Sequence, residues 1–200
     1  MGRPASFDQT ELLETIQTLF WDKGYWATSL DDIMQATGLG KGSLYGVYAS
    51  KQDMYVAAFA DYCDWALENA AERLRGDDAG AAARLRKYVQ SSAKGCVGNR
   101  RGCMLAKGTA ELAGRFPEVD RIIEKTFKGI ESEIQQCVRQ AQRADNIDPN
   151  VDARTIAVTI LAVVRGMEAL GKAGASSASL SAMAQGALSL LRPSTRIPKF

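Results

Sequence analysis

The chain has 200 residues, 46% of them hydrophobic and 24% charged, with five prolines and a formal net charge of +2. That length supports a sizeable core in one or two domains and excludes fibrous, disordered and disulfide-stapled classes, while the charge is too small to mark a polyanion partner by itself. Histidine is absent, which removes Ser-His-Asp triads, Cys-His dyads, His-ligated zinc and imidazole acid–base chemistry together; the expectation is no enzyme, no cofactor and no metal.

From Asp8 to Lys23, the residues Leu12, Leu13, Ile16, Leu19 and Phe20 fall at helical spacing, and Gly24 follows as a stop. Ser29 with Asp32 three residues on predicts the start of a second helix, with Ile33 and Met34 inward and Gly38 closing it. Gly40-Lys41-Gly42-Ser43 reads as a tight connection, Ser43 to Tyr48 as a short helix, and Ser50 with Asp53 as the start of a long helix reaching about Arg75. Two short helices joined by a glycine-containing turn predict a helix-turn-helix. The run Gly38-Leu39-Gly40-Lys41-Gly42 is no phosphate loop, because no Ser or Thr follows the lysine and no strand precedes it.

After a loop over Gly76 to Gly80, a helix is predicted from Ala81 to Lys94, then a bent connection from Gly95 to Gly102 that carries Arg100 and Arg101. Leu105 to Arg115 reads as a short helix, and Pro117 suits the first turn of a longer one ending near Ala144. Beyond a turn at Asp148 to Asp152, helices are predicted over Ala153 to Lys172 and Leu180 to Leu191, separated by a break from Gly171 to Ser177. The stretch Ile156 to Val164 is apolar nearly all round, so a subunit interface is expected to cover its second side. No segment alternates with period two, and the fold class is therefore all-α with about nine helices.

The expected division is a helix-turn-helix domain over 1–51, a larger helical domain over 52–191 that carries the expected subunit interface, and a flexible tail over 192–200. Met1-Gly2-Arg3-Pro4 carries no apolar signal core and the most apolar run is too short to cross a bilayer, so a cytoplasmic protein without membrane contact is expected. Cys63, Cys96, Cys103 and Cys137 lack a C-x-x-C pairing and are expected to be reduced thiols.

In the first quarter of the chain, Gly2-Arg3-Pro4, Leu19-Phe20, Gly24-Tyr25, Thr28-Ser29, Asp32-Ile33, Gly38, Lys41-Gly42-Ser43-Leu44-Tyr45 and Tyr48-x-Ser50-Lys51 together resemble the TetR family of bacterial transcriptional regulators. Arg101-Gly102-Cys103-Met104-Leu105 looks like a recurring segment in one of its subgroups. The resemblance implies a homodimer that binds double-stranded operator DNA and answers to a small-molecule effector. The physical reading of the same residues agrees: the second short helix enters the major groove, and helix N-termini face phosphates. Ser43, Tyr45 and Tyr48 are groove-facing candidates, with Leu44 expected to anchor the short helix in the core. Thr28, Ser29 and Lys51 suit phosphates, Gln35, Lys41 and Gly42 complete the DNA-facing set, and Arg3 is a candidate minor-groove arm.

Two features depart from the family pattern. Gly46 stands where many relatives place a base-reading side chain, which shifts readout to neighbours or to DNA shape. Residues 1–51 hold four basic and six acidic side chains, a net −2, so affinity is expected to rest on positioned contacts and on dimerisation. A palindrome with half-sites about 34–36 Å apart, or a multiple, follows from general helix-turn-helix geometry.

By position in the family, the ligand cavity is expected among Tyr62, Trp65, Tyr88, Met104, Leu105, Leu112, Phe116, Ile123 and Phe127, and the dimer interface among Ile156, Ile160, Val163, Val164, Met167 and Leu188. The effector is expected to be small and apolar or aromatic, releasing a repressor. Cys103, beside Arg100 and Arg101 and seven residues after Cys96, is an alternative input as a thiol sensor of oxidants or electrophiles, as some relatives with a similar Gly-Cys segment look to be. A third alternative, prompted by Gly46 and the local charge, is an all-α ligand-binding protein without DNA function.

Overall fold

The computed structural model describes residues 8–191 and Pro193. Arg3 and most of the expected tail lie outside the described residues. Among these, nine helices and no strand are present: α1 (Gln9–Lys23), α2 (Leu30–Thr37), α3 (Lys41–Tyr45), α4 (Lys51–Leu74), α5 (Ala81–Cys96), α6 (Met104–Leu112), α7 (Pro117–Arg143), α8 (Ala153–Ala173) and α9 (Ser177–Leu188). None of them is long and apolar enough to cross a membrane.

The chain divides into two compact units, one holding residues up to Asp64 with Cys103–Ile123 and the other Trp65–Gly102 with residues from Glu124 onward. The expected boundary after residue 51 is therefore not where the structure divides. The reason is packing: the first part of α4 and the whole of α6 belong to the unit that holds α1–α3, with α4 bonded to α1 and α6 set against α4. Gln17 Nε2 donates to the Ala58 carbonyl at 3.2 Å and to Asp61 at 2.8 Å, and a Cβ on Gly108 of α6 would lie 2.6 Å from Tyr55 Oη of α4.

Local chemistry sets the helix ends of the first unit. Asp8 accepts from the Thr10 amide at the head of α1, and Ser29 and Asp32 form a reciprocal capping box at the head of α2. Gly38 closes α2 in the left-handed conformation at φ 69°, which a residue without Cβ adopts freely. Phe20, Tyr25, Tyr55 and Phe59 form the aromatic centre of this unit. Tyr25 meets Tyr55 and Phe116 edge-on at 5.2 and 5.3 Å, and Tyr55 stacks on Phe59 at 5.4 Å.

The second unit is a helical core in which α5, α8 and α9 pack on one another. Leu85, Val89, Ile134, Ile156, Ile160, Met167 and Leu180 are fully buried within a single chain, each contributing about 1.5–3 kcal/mol of apolar burial. Arg73 grips the start of this core, its guanidinium lying over the Tyr88 ring at 4.9 Å and donating to Ser91.

Several helix ends differ from expectation. α3 begins at Lys41 rather than Ser43 because Gly40, extended at φ −75°, ψ 161°, already serves as its cap, and it stops at Tyr45. α9 begins three residues earlier than expected because the Ser176 hydroxyl accepts from the Ser179 amide. α5 continues through Gly95 to Cys96.

Candidate nucleic-acid interface

The helix-turn-helix consists of α2 and α3. Leu44, fully buried, fixes α3 to the unit, while Lys41, Gly42, Ser43 and Tyr45 around it are exposed, Tyr45 at 40%. Lys41 Nζ lies 5.8 Å from the centroid of the Tyr45 ring, so α3 offers a cation, a hydroxyl and an aromatic phenol on one short segment. Gln35 is exposed on α2. Tyr48 is half-buried, and burial pushes its phenol above the ordinary value.

The structure gives other duties to three candidates. Thr28 is 1% exposed and its hydroxyl donates to the Gly24 carbonyl at 2.6 Å, so it closes the α1–α2 corner. The Ser29 hydroxyl, although exposed, is engaged with Asp32 on both sides of the capping box. The ammonium of Lys51 lies over the Tyr25 ring at 4.4 Å, and burial lowers its pKa against the opposing pull of Asp32. Asp32 also takes an ion pair from Lys23 at 2.6 Å; that bond, with those from Ser29, holds its carboxyl well below the usual carboxylate range.

Sequence reasoning did not single out Lys107 and Glu111 of α6. Lys107 Nζ donates to the carbonyls of Trp21 and Asp22 at 2.6 and 2.8 Å, and Glu111 Oε2 accepts from the Tyr25 amide at 2.8 Å. Two opposite charges one turn apart on a short, otherwise mostly apolar helix were the available signal.

Of the residues expected around a ligand cavity, Tyr62, Met104, Leu105, Leu112 and Ile123 are buried in the first unit, and half-buried Phe116 packs edge-on to Tyr25 there. Tyr62 also meets the Trp21 ring edge-on at 4.8 Å, and its hydroxyl donates to Cys103 Sγ at 3.5 Å. In the second unit Tyr88 is buried under Arg73, Phe127 is half-buried and Trp65 is 57% exposed. A cleft of about 300 Å³ between α5 and α9 is lined by Gln90, Lys94, Val97, Ser177, Ser181 and Gln185, with Ala93 and Ala184 at its floor. None of these was anticipated.

The cysteines are free thiols, Cys103 half-buried and Cys63, Cys96 and Cys137 buried. Arg100, expected to act on Cys103, instead donates to the Lys172 carbonyl at the end of α8. The expected dimer residues also need correction. Ile156, Ile160, Val164, Met167 and Leu188 are buried inside one protomer and only Val163 is half-buried, because α8 turns its bulkiest side chains onto α5 and α9. The open face of α8 carries Val158, Ala162, Ala169 and Leu170, and that of α9 carries Ala178, Ala182 and Gly186.

Residues 12–58 match the family model described as bacterial regulatory proteins, tetR family, and residues 81–187 match the tetracyclin repressor-like C-terminal domain. The chain belongs to the TetR family of bacterial transcriptional regulators, whose members are transcription factors and not enzymes. It is 27% identical to the HTH-type transcriptional repressor ComR of Escherichia coli (strain K12) over 178 residues, 88% of this chain and 84% of ComR. It is 40% identical to the repressor KstR2 of Mycolicibacterium smegmatis over 64 residues, 32% of this chain and 31% of KstR2.

Among solved structures, reduced E. coli NemR superposes with a TM-score of 0.81 at 18% identity, covering 94% of this chain and 99% of NemR. A cysteine mutant of the regulator CifR, complexed with 26-bp double-strand operator DNA, superposes with a TM-score of 0.73 at 18% identity, covering 95% and 100%. At those identities the likeness concerns the fold.

Proposed function

We propose that this protein is a homodimeric repressor of bacterial cytoplasm that occupies a palindromic operator through α3 and leaves it when a small apolar or aromatic effector binds. The observation that carries the reading is α3 itself: a buried Leu44 anchor surrounded by exposed Lys41, Gly42, Ser43 and Tyr45, as a groove-entering helix requires. Gln35 and Tyr48 flank that surface. Ser29 and Thr28 act by shaping the head of α2, whose amides suit a phosphate. ComR and KstR2 are named as repressors, and CifR was solved on operator DNA, which supports repression and duplex binding here. The effector class is read from the apolar and aromatic side chains of Tyr62, Met104, Leu105 and Leu112, which the structure holds in the interior of the first unit.

Selection of genomic fragments by the full-length protein, followed by sequencing, tests the reading. One enriched palindrome with a steep salt dependence is expected. No enrichment at low salt would leave a ligand-binding protein without DNA function.

A second reading places the switch at Cys103. It is supported by the Tyr62 hydroxyl bonded to a half-buried thiol at the head of α6. Under this reading Cys103→Ser retains the operator but no longer responds to oxidants or electrophiles, whereas Cys96, buried, is not the reactive thiol.

A further inference from the structure

The corner between α1 and α2 is held from outside the helix-turn-helix. α1 ends at Lys23, and the Gly24 amide bonds the Phe20 carbonyl, which places the carbonyls of Trp21 and Asp22 in the last turn of α1, where acceptors turn to donors outside the helix. Lys107 Nζ reaches both, at 2.6 and 2.8 Å, and places a cation where the dipole of α1 favours one. One turn further along α6, the Glu111 carboxylate accepts from the Tyr25 amide at 2.8 Å. Gly24 lies against that carboxylate at φ 88°, and a Cβ there would overlap it. Gly108, between the two charged residues, lets α6 lie against Tyr55 and Phe59 of α4, where an added Cβ would be 2.6 Å from Tyr55 Oη.

Both charges are thus directed at backbone atoms of one corner. From that corner the Thr28 hydroxyl bonds back to the Gly24 carbonyl, and Ser29 opens α2. A side chain bonded to backbone fixes direction as well as distance, and recognition tolerates displacements of only about half an ångström.

We propose that Lys107 and Glu111 are positioning residues for DNA recognition: they lock the α1–α2 corner to α6 and thereby set the angle at which α2 and α3 meet the major groove. The proposal rests on the operator-binding reading above. It makes operator affinity a property of α6, a helix that does not belong to the reading head.

The test uses full-length protein, the DNA fragment recovered by the unmodified chain, and amide hydrogen exchange without DNA. Lys107→Met and Glu111→Ala are each expected to raise Kd for that fragment at least tenfold and to speed exchange of the Tyr25 amide by a similar factor. Exchange across Ile156–Val164 in α8 stays unchanged. Glu111→Gln, which keeps an acceptor oxygen, restores Tyr25 protection and most of the affinity. Affinity within twofold of the unmodified protein in both variants overturns the positioning role. So does a loss matched by equal acceleration in α8, since that reports global destabilisation. If the unmodified chain recovers no fragment, the operator-binding reading fails and the role in recognition falls with it, an outcome distinct from binding that survives both substitutions.

Discussion

The Lys51 ammonium lies 4.4 Å from the centroid of the Tyr25 ring, and the same ring meets Tyr55 and Phe116 edge-on. Tyr25 therefore receives the first turn of α4 on its face and α6 at its amide, where Glu111 bonds it. A lysine placed by sequence at the phosphate backbone instead tethers α4 to the α1–α2 corner. Cation–π contacts in partly desolvated positions stabilise by about 1 kcal/mol. Lys51→Ala is expected to lower the unfolding free energy in urea by about that amount, with Lys51→Arg retaining most of it. An unchanged midpoint for Lys51→Ala would return Lys51 to the solvent-facing set.

Asp32 predicts a pH dependence with a definite sign. Its carboxyl is held below the ordinary aspartate value of 3.8 by the Lys23 ion pair first and by the Ser29 hydrogen bonds next. A depressed folded-state pKa contributes stability above the unfolded value, and that contribution is lost as pH falls below 3.8 toward the folded value. Asp32→Asn is expected to be less stable than the unmodified chain at neutral pH, with the difference shrinking during acid titration below pH 4. Urea midpoints collected between pH 7 and pH 2.5 check this; a gap that stays constant with pH would assign the loss to packing instead.

Much of the fold was legible because the relevant signals are local. Ser29 with Asp32, Ser50 with Asp53, and Gly38 mark helix ends through hydrogen bonds within four residues. The start of α9 was missed because serines at 176, 177 and 179 are all plausible caps by type, and only backbone geometry selects Ser176. The site was harder to read. Periodicity shows that Ile156–Val164 is buried on several sides but not by what, and α5 and α9 take the faces expected for a second subunit. Lys107 and Glu111 act on residues some 86 positions earlier in the chain, a relationship that no local pattern encodes.

Close helix packing in the second unit gives a contrast between two glycines. A Cβ on Gly171 of α8 would stand 2.5 Å from the Cys96 carbonyl oxygen, a backbone atom that cannot rotate away, whereas one on Gly95 of α5 would meet nothing within 4 Å. Gly171→Ala is expected to destabilise by about 1–3 kcal/mol through overpacking. Gly95→Ala is expected to be neutral or to stabilise by about 0.5–1 kcal/mol, since alanine loses less backbone entropy in a helix. Thermal unfolding of the two variants measures the difference, and equal midpoints would contradict the close approach of α8 to the end of α5.

The open faces of α8 and α9 define the dimer prediction. Val158 and Leu170 are 43% and 47% exposed, and Ala162, Ala169, Ala178, Ala182 and Gly186 around them are small, so a second copy can approach these helices closely in a four-helix arrangement. A long charge in the middle of either face opposes that approach without entering the protomer's core. Ala162→Arg and Ala182→Glu are each expected to halve the mass measured by light scattering, from twice the 21.6 kDa of the chain to once. Circular dichroism stays helical. On the proposed palindrome each protomer would read one half-site, so the loss of linkage is expected to weaken operator binding by about 10²–10⁴-fold. If both variants remain dimeric with full affinity, the interface lies elsewhere; monomers that still bind a palindrome at full affinity would separate dimerisation from DNA recognition in this protein.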